Sequence, residues 1–205
     1  QSQKKYFILT SQLRSGFILL LEYLKKKNPA KNEIIMQPYN LPAMVQIVKN
    51  SNFKAVFCKL DLESGEYELK ELNRKITKKT LAVVVTHIFS THITMLKLKK
   101  LCKKKNIILI EDVAIYFDNY TLIGKKNRKI YAGSYGDYSL YSFNIMKNIS
   151  AFFGGGVAAN DKKFKISSES KIKKYKSFNN VELIKQVIIY FILKIFSIKL
   201  FYKHI

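Results

Sequence analysis

Leu81-Ala82-Val83-Val84-Val85-Thr86 and Ile107-Ile108-Leu109-Ile110-Glu111-Asp112 frame a lysine-rich segment from Met95 to Lys105. Both outer runs are apolar on successive positions, so neither has a polar face to offer water. That is the character of strands buried on both sides in a parallel sheet. The segment between them carries Leu96, Leu98, Leu101 and Cys102 as an apolar stripe, with lysines at the remaining positions, as a helix on a sheet does. Strand, helix and strand in that order predict an α/β domain with a mainly parallel central sheet. Working outward, further strands are expected at Glu33 to Gln37, Ala55 to Leu60, Tyr138 to Phe143 and Gly156 to Ala159. Helices are expected at Ser15 to Lys26, Pro42 to Asn50 and Leu69 to Lys75. Open parallel sheets hold ligands outside the carboxyl ends of their strands, which directs attention to Asp112 and to the segment after Phe143.

The 205 residues suffice for one sizeable core, and 48% of them are hydrophobic. A formal charge of +23 invites a nucleic-acid reading. It is disfavoured, because the cations are almost wholly lysine, with arginine only at 14, 74 and 128, and arginine is the better reader of phosphates and base edges. Cys58 and Cys102 show no metal or redox spacing, and no metal site is expected. Cys58 reads as core, and a reducing, cytoplasmic compartment is the simplest expectation. The chain begins at Gln1 and stops inside an apolar stretch, as a piece of a longer protein would. Residues 1 to 165 are read as the main domain, and 166 to 205 as a lysine-rich linker leading to an apolar C-terminal helix. That tail, Val187 to Tyr202, is shorter than the ~20 apolar residues a spanning helix needs. Packing on further parts of the protein is the preferred reading, with peripheral membrane contact as the second.

Three segments carry candidate chemistry: Ile110-Glu111-Asp112-Val113-Ala114, Gly133-Ser134-Tyr135-Gly136-Asp137, and Tyr141-Ser142-Phe143-Asn144-Ile145-Met146-Lys147-Asn148, with Gly154-Gly155-Gly156 close behind. Each alone has a plain structural explanation, as a helix cap, a solvated lysine or a turn. Their order and spacing resemble the DegT/DnrJ/StrS-type sugar aminotransferases. Pro38-Tyr39, Pro42, Asp61 and His87-Ile88-Phe89 extend the similarity over roughly residues 8 to 165.

The resemblance implies the large domain of a fold-type-I transferase dependent on pyridoxal 5'-phosphate, with its C-terminal small domain missing from the chain. It implies Lys147 as the lysine that joins the cofactor as a Schiff base and afterwards moves a proton, work for an amine that is neutral and within reach. Asp112 would pair with the pyridine nitrogen and keep it protonated. Ser142, Arg14 and Ser15 would contact the phosphate, the last two at a helix start, where free N–H groups and the dipole favour an anion. Ser15 would equally suit a simple cap. His87 reads as structural and Glu111 as a stabiliser of its strand end. The implied reaction is amino transfer from glutamate to a nucleotide-linked keto-sugar, for surface polysaccharide or lipopolysaccharide synthesis, by a homodimer. A dehydratase subgroup has histidine at the lysine position, so Lys147 favours transamination.

The chain departs from the family's pattern at several places. Ile115 stands where Gln or His contacts the ring, Leu41 where an aromatic residue often stacks, and Leu13 where the phosphate loop has glycine. Lys59 replaces an acidic residue and Ser90 a glycine. These departures motivate an alternative, a non-catalytic homologue that keeps the fold as a binding protein. A basic membrane or nucleic-acid binder ranks third.

Overall fold

The computed structural model describes residues 4–88, 92–116, 120–123, 127–144, 147–175 and 179–196. In chain order its elements are β1 (Tyr6–Thr10), α1 (Leu13–Lys27), β2 (Glu33–Met36), α2 (Pro42–Asn50), β3 (Lys54–Phe57), α3 (Leu69–Lys75), β4 (Thr80–Thr86), α4 (His92–Lys105), β5 (Ile108–Asp112), β6 (Tyr120–Ile123), β7 (Arg128–Tyr131), β8 (Tyr138–Ser142), β9 (Gly155–Ala159), α5 (Lys162–Ile172) and α6 (Asn180–Phe196). Phe89, Ser90, Ile145, Met146 and the tail beyond Phe196, all part of the sequence reading, lie outside the described residues.

A seven-stranded sheet in the order β1-β9-β8-β5-β4-β2-β3 forms the centre, and β6 and β7 make a separate two-stranded ribbon. From β3 through β2, β4 and β5 to β8 every pairing is parallel, while β9 runs against both β8 and β1. Alternation along the strands splits the core into two layers. Ile34, Met36, Val84, Ile110 and Leu140 pack with α1, α2 and α5 through Leu20, Leu21, Val48 and Phe164. Ile35, Val83, Val85 and Leu109 face the other way, against Met95, Leu98 and Cys102 of α4 and Leu72 of α3. The sheet therefore has no wet face at its centre, as the continuous apolar runs of β4 and β5 predict.

The structure adds elements that the sequence reading passed over: β1, the β6–β7 ribbon and α5. Two helices also start earlier than expected, α1 at Leu13 and α4 at His92. The boundary drawn at residue 165 falls within α5, whose Phe164 and Ser168 are buried against the same core, so this packed unit continues to Ile172. Asp161 caps that helix by accepting the N–H groups of Lys163 and Phe164.

At the carboxyl end of β5 the fully buried Glu111 gathers the surrounding backbone. Its carboxylate accepts His87 Nε2–H at 2.9 Å, the Gly133 N–H at 2.9 Å and the Tyr135 N–H at 2.8 Å, together with the Gly136 N–H. Burial acts to raise its pKa. The His87 hydrogen bond and charge, the Lys4 ammonium and the Gly136 N–H outweigh burial and hold the carboxyl below its usual 4.5. The stabilisation is thus present above about pH 4.5 and is lost as pH falls through the lower folded-state value. Glu111→Gln puts an NH2 among donors that need acceptors. We expect it to destabilise the fold by about 3 kcal/mol in urea unfolding at pH 7. The difference from the unsubstituted protein should shrink when the titration is repeated in acid.

Candidate active site

The carboxyl ends of the neighbouring strands β5 and β8 open onto a cavity of about 250 Å³. Asp112 is the last residue of β5 and Ser142 the last of β8, so the parallel pairing itself brings them to one side of the sheet. Lys147 enters from the loop after β8, and Gln12, Leu13 and Arg14 enter from the start of α1. Leu41 and Met44, at the start of α2, complete the apolar side. Four residues singled out in the sequence, Arg14, Asp112, Ser142 and Lys147, thus border a single cavity. The fifth does not: the Ser15 hydroxyl lies 3.2 Å from that of Ser11, and both line a neighbouring groove with Ile18 and Ile172.

The approach of α1 depends on glycine. Gly155 lies in register with Thr10 of β1 on one side and Ser142 of β8 on the other. A Cβ added to it would sit 2.1 Å from the Leu13 backbone nitrogen, so only glycine admits the helix start against β9. The preceding Gly154 has φ of +118°, which side-chain-bearing residues avoid. Helix α1 begins there with no side-chain cap and no acidic residue in its first turn. Its first N–H groups have no partner within the helix, and they offer positive potential towards the cavity. Arg14 adds a guanidinium, steadied by donating to Gln12 Oε1 at 3.1 Å. Gln12 is the lining residue that the sequence reading missed. A polar side chain immediately before a helix start was the available signal, obscured because the helix was expected to begin at Ser15.

Asp112 is 5% exposed, and burial raises its pKa above the ordinary 3.8. The Ala114 N–H, which it accepts at Oδ1 at 3.0 Å, and the charges of His87 and Lys147 act the other way without cancelling burial. This carboxylate gains by facing a cation. Lys147 is half-buried, its N–H donating to the Asn144 carbonyl at 3.0 Å. Asn148 reaches the Ile115 carbonyl at 3.5 Å and ties the lysine loop back to the segment after Asp112. Of the departures from the family pattern, Leu13 and Leu41 line the cavity, while Ile115 lies beside it, about half exposed. His87 is structural here, bonded to Glu111 and stacked on Tyr116 with ring centroids 5.9 Å apart.

A carboxylate suited to a cation, an amine, a helix start with arginine, and the Ser142 hydroxyl at the end of β8 fit a small flat ring that carries a basic nitrogen, an aldehyde and a phosphate. The sheet order and the side chains around the cavity agree with the fold that the sequence resemblance implies. The chain belongs to the DegT/DnrJ/EryC1/StrS aminotransferase family, whose model matches residues 2–179. It is 31% identical over 131 residues to the GDP-perosamine synthase of Escherichia coli O157:H7, covering 64% of this chain and 34% of that protein. Among solved structures it resembles Helicobacter pylori PseC, an aminotransferase involved in the biosynthesis of pseudaminic acid, with a TM-score of 0.69 and 23% identity. That match covers 81% of this chain and 43% of the other. A putative sugar aminotransferase of Streptococcus pneumoniae, solved in its pyridoxal-phosphate form, gives 0.67 and 16%, over 82% and 46% of the two chains. At these identities the structural likeness speaks for the fold. The chain spans about a third of the length of the curated relative in Escherichia coli.

Because the folded state raises the pKa of Asp112, its protonated form is favoured, and the stability it contributes is lost as pH rises through the folded-state value. Asp112→Asn is therefore expected to raise the melting temperature of the cofactor-free protein at pH 7. The same substitution should weaken pyridoxal phosphate binding by about tenfold or more, since a charge-assisted partner is lost. Thermal scans with and without cofactor measure the two opposed effects.

Proposed function

We propose that the full-length protein is an aminotransferase that moves an amino group from glutamate to the keto group of a nucleotide-linked sugar, for surface polysaccharide or lipopolysaccharide synthesis. The observation that carries this reading is the single cavity to which three separate segments of the chain bring Lys147 and Ser142, Asp112, and Arg14. Membership of an aminotransferase family and the likeness to a GDP-perosamine synthase support the substrate class.

When bound, pyridoxal phosphate supplies an aldehyde for capture of an amine and a ring that accepts electrons released at the carbon beside it. This chain's own residues prepare the place. Asp112 would hold the ring nitrogen in its protonated form, because its buried carboxylate is best satisfied by a cation. Arg14, Ser142 and the first N–H groups of α1 would hold the phosphate dianion. Lys147 Nζ would hold the aldehyde end, and as an amine it could serve as the acid and base that moves a proton. Leu13 and Met44, both buried, keep water from one side and strengthen the charge interactions within. A volume of about 250 Å³ lies at or below the lower limit for drug-sized ligands. It suits the cofactor ring, so a nucleotide-linked sugar must lie largely outside it, against further chain or the partner of a homodimer.

The test uses purified full-length protein with added cofactor. The expected result is a visible absorption band that borohydride abolishes. With glutamate and a nucleotide-linked keto-sugar, amino-sugar and 2-oxoglutarate should form in equal amounts. Lys147→Ala should remove the band and lower turnover by about 1000-fold or more. A protein that stays colourless under cofactor excess would instead support the non-catalytic alternative.

A further inference from the structure

Helix α6 differs from the other long helices in that none of its seventeen residues is buried. Leu183, Ile188, Phe191, Ile192 and Ile195 are 42 to 57% exposed, an apolar surface well beyond the scattered residues that water-facing helices carry. Glu182, Lys185 and Gln186 share one side of the first turns at helical spacing. From Val187 onward Lys194 is the one charged residue of the described helix. Among the described residues no helix is long and apolar enough to cross a membrane. The polar start and the remainder, apolar on all sides apart from Lys194, instead suit a helix whose far end dips into one leaflet, with the Lys194 stem extended towards headgroups.

Charge selects the occupant. Lys173 and Lys174, between α5 and α6, are both exposed in a chain of net charge +23. A second copy docked on this face would bring Lys173 and Lys174 against their own counterparts. A bilayer with anionic headgroups attracts it while accepting the apolar side chains, and two such signals together give stable anchoring where one alone does not. We propose that α6 and the lysines leading into it form a docking surface for an anionic lipid bilayer. Tyr190 packs edge-on against Phe152, ring centroids 5.1 Å apart, so the docked helix stays connected to the loop that lines the cavity through Phe153 and Gly154.

The experiment is co-sedimentation of the full-length protein with vesicles of phosphatidylcholine alone or with one quarter phosphatidylglycerol. Binding to the anionic vesicles should exceed binding to the neutral ones by about tenfold, and should fall several-fold between 0.1 and 0.5 M salt. The double change Ile188→Asp and Ile192→Asp, at exposed positions, should lower anionic binding by at least about tenfold with an unaltered circular dichroism spectrum. Lys173→Gln with Lys174→Gln should lower it several-fold and reduce the salt dependence. Equal binding to both vesicle types, or binding unaffected by both double variants, overturns the proposal. So does an isoleucine variant that changes only the oligomeric state, or only the melting temperature, of the full-length protein, which would assign the face to a second copy or to further chain.

Discussion

The buried carboxylate of Glu111 is the constraint on which the site depends. Neighbouring residues on a strand point to opposite faces, so fixing one fixes the next. His87 from the end of β4 and the N–H groups of Gly133, Tyr135 and Gly136 before β8 all converge on Glu111, on the α4 side of the sheet. Asp112 is thereby turned to the α1 and α2 side, the face it shares with Ile110. Two adjacent carboxylates consequently meet opposite fates. Glu111, surrounded by donors, is held ionised, whereas Asp112, given the single backbone N–H of Ala114, is pushed towards protonation. One satisfies the fold, and the other is left to be satisfied by a ligand.

Much of the fold was legible because its central strands declare themselves. β4 and β5 read as runs apolar on both faces, and α2 and α3 matched their expected bounds. β1 was hidden because Tyr6 to Thr10 pairs with residues some 150 positions away and sits at an edge with Phe7 and Leu9 exposed. Helix α5 buries only Phe164 and Ser168, too sparse a stripe to stand out among its lysines. The ribbon of β6 and β7 packs outside the main sheet and needs no continuous apolar run. At the site, the motif spacing pointed to Asp112, Ser142, Lys147 and Arg14. The turning of Ser15 towards Ser11 could not be read, because it depends on where β9 sets the helix start.

The lysine excess has a partly local explanation. Lys25, Lys26 and Lys27 end α1, Lys103, Lys104 and Lys105 end α4, and Lys49 and Lys171 lie in the last turns of α2 and α5. Cations there oppose the negative end of the helix dipole. The N-termini of α1, α2 and α5 carry no acidic residue in their first turns. For α1, whose start borders the cavity, this leaves the positive end uncompensated where an anion is to be held.

The apolar departures lie around that same cavity, and their effect on it has two sides. Leu13 and Leu41 offer no hydrogen bond to a ring or phosphate, which removes contacts worth about 1 kcal/mol each. Leu13, which is buried, also lowers the local dielectric, which strengthens every remaining charge interaction. Asp112 already feels this, since burial is the largest influence on its pKa. An apolar rim makes an unpaired carboxylate more costly and a paired one more favourable. Leu13, which reduces the number of contacts, therefore also sharpens the preference of Asp112 for a protonated ring nitrogen, and binding comes to rest on fewer, more strongly coupled charges.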